Sequence, residues 1–458
     1  MEKVSTQARK GLLVINISAF LVPFMGSSLN LALPQIGEAF NMKAVTLTWM
    51  ATAYLISTAI FQIPLAKIAD IRGRRKVFIW GVFLFTLCTI ASGLSTSGEM
   101  LIAMRFLSGI GAAMLMGTNM AILTALVPPS KRGKALGVNV SVVYAALAAG
   151  PFFGGIITQI FGWRGIFFVV AAVGLVILAL SKSCLKGEWT EAKGEKFDLL
   201  GSIFYGIGLA SLIFGFSNLP KTLGIVFLLT GLAFFVIFIV YERRQQFPVF
   251  NVRLFTRNRT FALSSFAALI NYSATAAIAF MLSLYLQAVR GLEPSTAGLI
   301  LISQAVVQSF FSIVVGNLSH KFSPSKMATT GMAIIVVGLI GLTFISPTTH
   351  FAYIMFLLML LGTGFGVFSS PNTNVIMSSV EKKEYTQASA ATGTMRLTGN
   401  AISMGIASMS ISFFMGNEKI VPALFGEFLQ SMRMAFMVFA VLCLIGVFAS
   451  TARIEKKV

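Results

Sequence analysis

The sequence AKIADIRGRRK at residues 66–76 lies between two long apolar segments, and a related sequence, GNLSHKFSPSK at residues 316–326, recurs 250 residues later. A charged loop that returns at the same place in two sets of apolar segments indicates that the chain is an internal duplication. Two related helical bundles facing each other are the architecture of alternating-access transporters. The duplication therefore favours transport as the function.

The composition excludes a soluble protein. Of the 458 residues, 56% are hydrophobic and 11% are charged, and the mean hydropathy is +0.86. The three cysteines show neither paired nor metal-ligand spacing, so we expect no disulfide framework, no metal site and no cofactor. The first apolar segment, residues 11–33, is too long and too interrupted by polar residues and proline for a cleaved signal peptide. It is predicted to be the first membrane span.

Apolar segments of about 20 residues have the length that a bilayer core requires. They predict an all-α integral membrane protein in which fourteen transmembrane helices (6 + 2 + 6) form two pseudo-symmetric bundles. The predicted spans are residues 11–33, 47–67, 77–95, 99–122, 135–160, 164–184, 199–217, 222–241, 261–284, 295–318, 326–346, 351–372, 386–414 and 432–451.

The net charge of +20 follows the predicted topology. With a cytoplasmic amino terminus, the inner segments carry 27 Lys and Arg residues, the outer loops carry 5, and 3 lie within spans. This asymmetry predicts a multi-pass protein of the cytoplasmic membrane with both termini in the cytoplasm. It also accounts for the charge without a nucleic-acid partner.

The repeated loop follows the second span of each set, which divides the chain into three parts. Residues 1–184 are predicted to form an amino-terminal six-helix bundle and residues 261–458 a carboxy-terminal six-helix bundle. Residues 185–260 form a linker with two inserted helices. Within it, residues 242–255 mix apolar and basic side chains, which predicts a helix on the inner membrane surface in contact with lipid headgroups.

The first copy of the loop resembles the G-x-L-A-D-x-x-G-R-R/K loop of the major facilitator superfamily, and this resemblance implies the major facilitator fold. An aspartate at a helix end can accept hydrogen bonds from a facing helix amino terminus, and a basic cluster can bind carboxylates or lipid phosphates. A merely basic inner loop is the alternative. Ala66 replaces the leading glycine. The candidate gating residues of the two copies are Asp70, Arg72, Gly73, Arg74, Arg75, Lys76 and, at the aspartate position of the second copy, His320.

The fifth span contains GPFFGG, with Gly150, Pro151, Gly154 and Gly155, which resembles the G-P-x-x-G-G signature of the superfamily's antiporters. The resemblance implies an export direction, although glycines also serve ordinary helix packing. The sequence LNLALP at 29–34, the two inserted spans and DLLG at 198–201 extend the resemblance over essentially the whole chain, to the fourteen-helix drug:proton antiporter branch of multidrug efflux proteins. That branch usually has an aspartate in the first span, where this chain has Met25.

Two arginines lie within spans, where a charge is costly unless it faces a cavity or a partner. Arg105 belongs to an R-x-x-x-G-x-G motif that resembles the family's fourth span, and the repeat offset places Arg396 near the depth of Tyr144. Snorkelling of Arg105 and a structural role for Arg396 are the alternatives. The candidate residues of the substrate cavity are Asn30, Arg105, Asn119, Tyr144, Asn271, Gln304, Asn372, Arg396 and Asn400.

All fifteen acidic residues fall in loops or at span ends, so the membrane midplane has no carboxylate for proton coupling. Glu99 and Glu38 remain as candidate proton sites near the outer side. The arginines predict a neutral, anionic or zwitterionic small molecule as substrate. The resulting hypothesis is a monomeric exporter of a small amphipathic molecule, with protons as the expected coupling ion and an uncoupled facilitator as the alternative. A membrane-embedded enzyme is not expected, because the sequence offers no cluster of catalytic groups.

Overall fold

The computed structural model describes residues 6–128, 131–219, 221–318, 322–381, 385–416 and 418–451. Within these residues the chain is helical and contains no β-strand. The first half comprises α1 (Thr6–Ala39), α2 (Ala44–Arg72), α3 (Arg74–Gly93), α4 (Gly98–Leu126) and α5 (Arg132–Cys184), followed by the inserted pair α6 (Leu199–Ser217) and α7 (Thr222–Glu242).

The second half begins after a short helix and repeats the pattern of the first. Its helices are α8 (Arg253–Arg257), α9 (Arg259–Ser273), α10 (Ala276–Leu284), α11 (Pro294–Leu318), α12 (Pro324–Leu342), α13 (Phe351–Ser378), α14 (Tyr385–Met415) and α15 (Phe425–Thr451), with a π-helical turn over Tyr285–Val289 and a 3₁₀ turn over Pro422–Leu424. The two halves form the two-domain, all-helical fold predicted from the duplication. The boundaries at 184/185 and 260/261 stay predictions.

Thirteen helices in the described part of the chain are long and apolar enough to cross a membrane. One of them, α5, has 53 residues and would extend about 80 Å as a continuous helix, far more than a bilayer core. Gly162 interrupts it with a φ of 70°, a value that glycine adopts without strain. Counted on either side of Gly162, α5 supplies two crossings, in agreement with the fourteen predicted spans.

An even number of crossings places the start of α1 and the end of α15 on one side, which we call the terminal face; the other side is the opposite face. At the opposite face the two halves are joined directly. The amide of Ala44 donates to the Glu418 carbonyl (3.0 Å), and the Ser283 hydroxyl on α10 donates to the Asn30 carbonyl on α1 (2.6 Å). The positive-inside rule predicts the terminal face to be cytoplasmic.

The segment before α9 differs from the predicted surface helix. Only Arg253–Arg257 is helical, and the apolar side chains of Val249, Phe250 and Leu254 are buried in one cluster with residues of α6, α7 and α9. Pro248 cannot donate a backbone hydrogen bond within a helix, which favours an irregular path. The apolar side chains of this segment therefore pack on the protein.

The inserted pair contacts both halves of the molecule. On one side, the Tyr205 hydroxyl of α6 donates to the Ala59 carbonyl of α2 (3.0 Å), and Trp49 packs against Phe214. On the other side, Gly405 of α14 lies against the side chains of Phe216 and Ser217. The pair thus covers the seam between α2 and α14.

Candidate functional site

A group of polar side chains lies between the two halves near the middle of the helices. Tyr144 is 12 residues into α5, about 18 Å along the helix axis. Its hydroxyl donates to Ser369 Oγ on α13 of the other half (3.1 Å). Tyr272, at the end of α9, lies within electrostatic range of both Tyr144 and Arg396. We call Tyr144, Tyr272, Ser369 and Arg396 the central polar cluster.

The ninth crossing is broken beside this cluster. Helix α9 ends at Ser273 and α10 begins at Ala276, and the amide of Ala277 donates instead to Ser403 Oγ on α14 (3.0 Å). Irregular backbone at membrane depth is tolerated where it is buried in protein or lines a cavity. Neither the break nor Tyr272 was predicted from the sequence, although the polar run NYSAT at 271–275 inside an apolar segment is a usable signal.

Arg396 is the charged member of the cluster. Its side chain is half-buried, and none of the described acidic side chains forms an ion pair with it. Arg105, by contrast, is only 2% exposed and is enclosed between α2 and α4. Its guanidinium lies 4.2 Å from the centre of the Tyr54 ring, and its Nε donates weakly to the Met50 carbonyl (3.5 Å). In this conformation Arg105 is therefore a packed residue of the amino-terminal bundle and does not snorkel to the membrane surface.

The amide side chains predicted for the cavity have several environments. Asn119 donates to the Ile15 carbonyl (3.0 Å) and to Ser18 Oγ (3.1 Å) within the amino-terminal bundle. Asn372 is buried and donates to the Ser264 carbonyl (3.2 Å), and Asn271 is buried with no hydrogen-bond partner for its Nδ2 atom among the described residues. Asn30, Gln304 and Asn400 are half-buried. A pair that the sequence analysis missed, Asn139 with Asn16 (2.9 Å), joins α5 to α1.

The candidate gating loop is bound to the linker that precedes the inserted helices. Asp70 Oδ1 accepts from Arg74 Nε at 2.7 Å, and Arg74 also pairs with Glu191 (2.7 Å). The Arg74 side chain is only 3% exposed, so the two carboxylates neutralise a buried charge. Backbone hydrogen bonds from Arg74 to Trp189 and from Ala192 to Asp70 hold the linker along the loop.

Two further linker acids contact the same region. Glu188 accepts from the Arg75 amide (2.8 Å), and Glu195 pairs with Lys67 (2.6 Å). We call residues 185–198 with these contacts the linker clamp. Gly73, with a φ of 119°, makes the turn between α2 and α3 and lies against Glu188, while Arg72 and Lys76 are exposed. His320, the corresponding position in the second copy, lies outside the described residues.

The glycine motif of α5 makes close contacts on two sides. Gly150 and Gly154 lie against Ser27 and Ser28 of α1, whereas Gly155 faces the Pro294 carbonyl at the start of α11. The Pro151 carbonyl in turn lies against Gly298 of α11. The motif therefore joins α5 to its own bundle and to the other half at the same level. Tight packing accounts for these glycines. Because the motif also lies at the interface between the halves, changes in it are suited to alter the relative motion of the halves.

Replacing Gly154 by alanine should destabilise the protein. The added methyl group would come within 2.6 Å of Ser28 Cβ and 2.7 Å of Ser28 Cα, and overpacking of this kind costs about 1–3 kcal/mol. Gly137→Ala is the matched control, because nothing lies within 4 Å of the methyl group that it would add to the same helix. Thermal unfolding in detergent should show a lower Tm for Gly154→Ala alone. Equal Tm values would contradict the close contact with α1.

The acidic candidates are exposed. Glu99 lies in the first turn of α4, beside the capping residue Ser97, and Glu38 lies near the end of α1. Both lie near helix ends at the opposite face, whereas the central polar cluster lies near the middle of the helices. No group of three or more His, Cys, Asp or Glu side chains within the described ranges could hold a metal ion.

Comparison with known proteins gives relatives along nearly the entire chain. The riboflavin transporter RibZ of Clostridioides difficile is 27% identical over 410 residues, covering 88% of this chain and 87% of that protein. The multidrug resistance protein Stp of Mycobacterium tuberculosis is 29% identical over 402 residues, covering 86% and 73%. The tetracenomycin C resistance and export protein of Streptomyces glaucescens is 27% identical over 377 residues, covering 80% and 69%.

Solved structures share the fold. A bacterial homologue of the human lysosomal transporter Spinster, crystallised in an inward-facing unoccupied conformation, has a TM-score of 0.73 at 18% identity, covering 99% of this chain and all of that chain. A D-xylose–proton symporter has a TM-score of 0.70 at 12% identity, with 98% of each chain covered. The family description Major Facilitator Superfamily matches residues 15–404 and again residues 264–457. With relatives that include drug resistance and export proteins, as in the drug:proton antiporter branch, the chain belongs to the major facilitator superfamily of transporters.

Proposed function

We propose that the protein exports a small amphipathic molecule across the cytoplasmic membrane by alternating access, with its two halves rocking about the central polar cluster. The observation that carries the proposal is the position of this cluster. Tyr144 from one half bonds Ser369 from the other, at mid-depth and beside a broken helix. Transporters of this type bind their substrates near the bilayer midplane between the repeats, where helices are discontinuous.

The charge of the cluster supports a neutral, anionic or zwitterionic substrate. Arg396 has no acidic partner among the described residues, so a substrate carboxylate or phosphate is suited to pair with it. Tyr144 and Tyr272 offer aromatic faces and hydroxyl groups to a partly apolar molecule. The relatives named for riboflavin transport and for tetracenomycin C export supply a precedent for amphipathic ring compounds.

The GPFFGG motif and the drug resistance relatives support export as the direction of transport. The excess of Lys and Arg on the predicted inner side supports a cytoplasmic terminal face. Exposed basic residues on that face, such as Arg72 and Lys76, are suited to contact with anionic lipid headgroups. Each chain contains both halves, as expected for a monomer. Proton antiport is the preferred coupling. An uncoupled facilitator is the second candidate, because every acidic residue that the structure describes lies in a loop or near a helix end, away from the central polar cluster.

Transport and proton movement can be separated in sealed proteoliposomes that contain a pH-sensitive dye. We expect an amphipathic substrate to move against its gradient when a proton gradient is imposed, with a stoichiometric change of internal pH. Substrate flux that only follows its own gradient, with constant internal pH, would identify the facilitator. Liposomes without protein control for passive leak of the amphipathic substrate.

A further inference from the structure

Two carboxyl groups meet at the terminal-face end of the inserted helices. Asp198 caps the amino terminus of α6, where its Oδ1 atom accepts from the Gly201 amide (2.8 Å) and from the Tyr241 hydroxyl (3.4 Å). Glu242 is the last residue of α7, one position beyond the predicted span, and is only 3% exposed. Because α6 and α7 form an antiparallel hairpin, the start of one helix lies beside the end of the other.

The two side chains face the same point. A methyl group on Gly201 would overlap both Glu242 Oε1 and Asp198 Oδ2, so only glycine leaves room for the pair. Asp198 Oδ2 and both carboxylate oxygens of Glu242 are buried and have no hydrogen-bond partner within the described ranges. A buried carboxylate without donors is costly as an anion, and a second carboxylate beside it raises that cost.

The remaining groups around Glu242 do not neutralise it. The charged side chain that approaches from α2 is Lys67, which is already paired with Glu195 at 2.6 Å. The amides of Val249 and Phe250, in the segment after α7, favour the charged form of Glu242, but neither meets hydrogen-bond geometry and burial of the carboxyl group outweighs them. From α7 itself the neighbour is Tyr241, while Arg243 and Arg244 are exposed to solvent.

We propose that Asp198 and Glu242 form a proton-binding site that holds one proton between two carboxyl groups, with the proton on Glu242. The helix ends determine which group is charged. An anion is stabilised at the amino terminus of a helix and destabilised at the carboxyl terminus, so Asp198 is the carboxylate and Glu242 the acid. The protonated Oε atom of Glu242 can then donate a hydrogen bond to Asp198 Oδ2, so that each of the two carboxyl groups gains a hydrogen-bond partner.

Loss of this proton has a structural consequence. A second buried charge would attract Lys67, which lies within electrostatic range of Glu242, and so compete with Glu195 for it. The pair thereby connects proton occupancy at the terminal face to the linker clamp. This inference does not depend on the proposed substrate, on the direction of transport or on Glu38 and Glu99 as proton sites.

Infrared titration of the purified full-length protein tests the site directly. We expect the carbonyl band of a protonated carboxyl group to persist up to about pH 7, well above the ordinary range of a glutamate near 4.3. Glu242→Gln should abolish this band. Asp198→Asn, which can still cap α6, should shift the midpoint of the band toward the ordinary range. Glu191→Gln is the control, since Glu191 is exposed on the same linker and should leave the band unchanged.

Thermal unfolding gives a second, independent readout. Because the folded protein binds this proton more tightly than the unfolded chain, the stability that it contributes is present at acidic pH and is lost as the pH rises through neutrality. The Tm of the wild type should therefore fall between pH 5 and pH 8 by more than that of Glu242→Gln. A wild-type protein with no protonated carboxyl band at pH 6, or a band that survives in Glu242→Gln, would overturn the proposal.

Discussion

Asp70→Asn is expected to slow transport about 10- to 100-fold while leaving substrate affinity nearly unchanged. Asp70 bonds the guanidinium of Arg74 at 2.7 Å, and Arg74 is 3% exposed. A hydrogen bond to a charged group contributes about 1.5–3 kcal/mol, which corresponds to a 10- to 100-fold change in the balance between two conformations that differ in this bond. Affinity is spared because Asp70 lies at the end of α2 and is not part of the central polar cluster.

The measurement is initial-rate transport in proteoliposomes, combined with equilibrium binding of the same substrate. Glu191→Gln is the matched control on the other side of Arg74. Glu191 is 65% exposed, so solvent screens its side of the pair with Arg74, and this variant should lose no more than about fivefold in rate. A normal turnover number for Asp70→Asn would contradict a role of Asp70 in gating.

Arg396→Ala is expected to weaken the binding of an anionic amphiphile about 10- to 100-fold. The half-buried Arg396 side chain lies within electrostatic range of Tyr272 and has no acidic partner in the described structure. A charge-assisted hydrogen bond to a substrate carboxylate would contribute about 1.5–3 kcal/mol. Binding of a neutral analogue should change much less, because that analogue does not use the charge.

Matched anionic, neutral and cationic amphiphiles of one scaffold provide the measurement, with thermal stabilisation of the wild type and of Arg396→Ala as the readout. Arg396→Lys keeps the charge but loses the planar fork of donors, so we expect it to recover part of the affinity for the anion. Stabilisation by the cationic compound alone, or equal affinity of the anion for wild type and Arg396→Ala, would contradict the assignment of Arg396 to substrate binding.

The sequence was sufficient for the helices because apolar length and charge asymmetry are local properties. The predicted spans 135–160 and 164–184 separate at Gly162, where the structure has a positive φ. The break before Ala276 was not predicted, because the Ala277 amide that it releases is accepted by Ser403, 126 residues away. Such features depend on neighbours that only the folded chain brings together.

The candidate site, like the fold, could be predicted from the sequence only in part. The repeat offset predicts a similar depth for Tyr144 and Arg396, and in the structure both side chains lie within electrostatic range of Tyr272. It did not reveal that Arg105 is enclosed by Tyr54, since burial of a span residue depends on which face of the helix meets α2. The linker acids Glu188, Glu191 and Glu195 were read only as polar linker, because nothing local shows that the linker folds back.

The acid pair at the inserted helices could have been inferred from the sequence. Two antiparallel helices joined by a short turn must bring the first residue of one beside the last residue of the other, and Asp198 and Glu242 occupy those positions. What the sequence could not provide is the burial of Glu242, which depends on Val249 and Phe250 covering the end of α7.

The linker clamp also bears on how the gene could be divided. The three glutamates of the linker clamp, Glu188, Glu191 and Glu195, all contact α2 or the first turn of α3, so the linker before the inserted helices is attached to the amino-terminal half. Two fragments expressed from separate reading frames would therefore need to be cut on the carboxyl side of α7. A cut before residue 185 would leave the charged turn after α2 in one polypeptide and its three glutamates in the other.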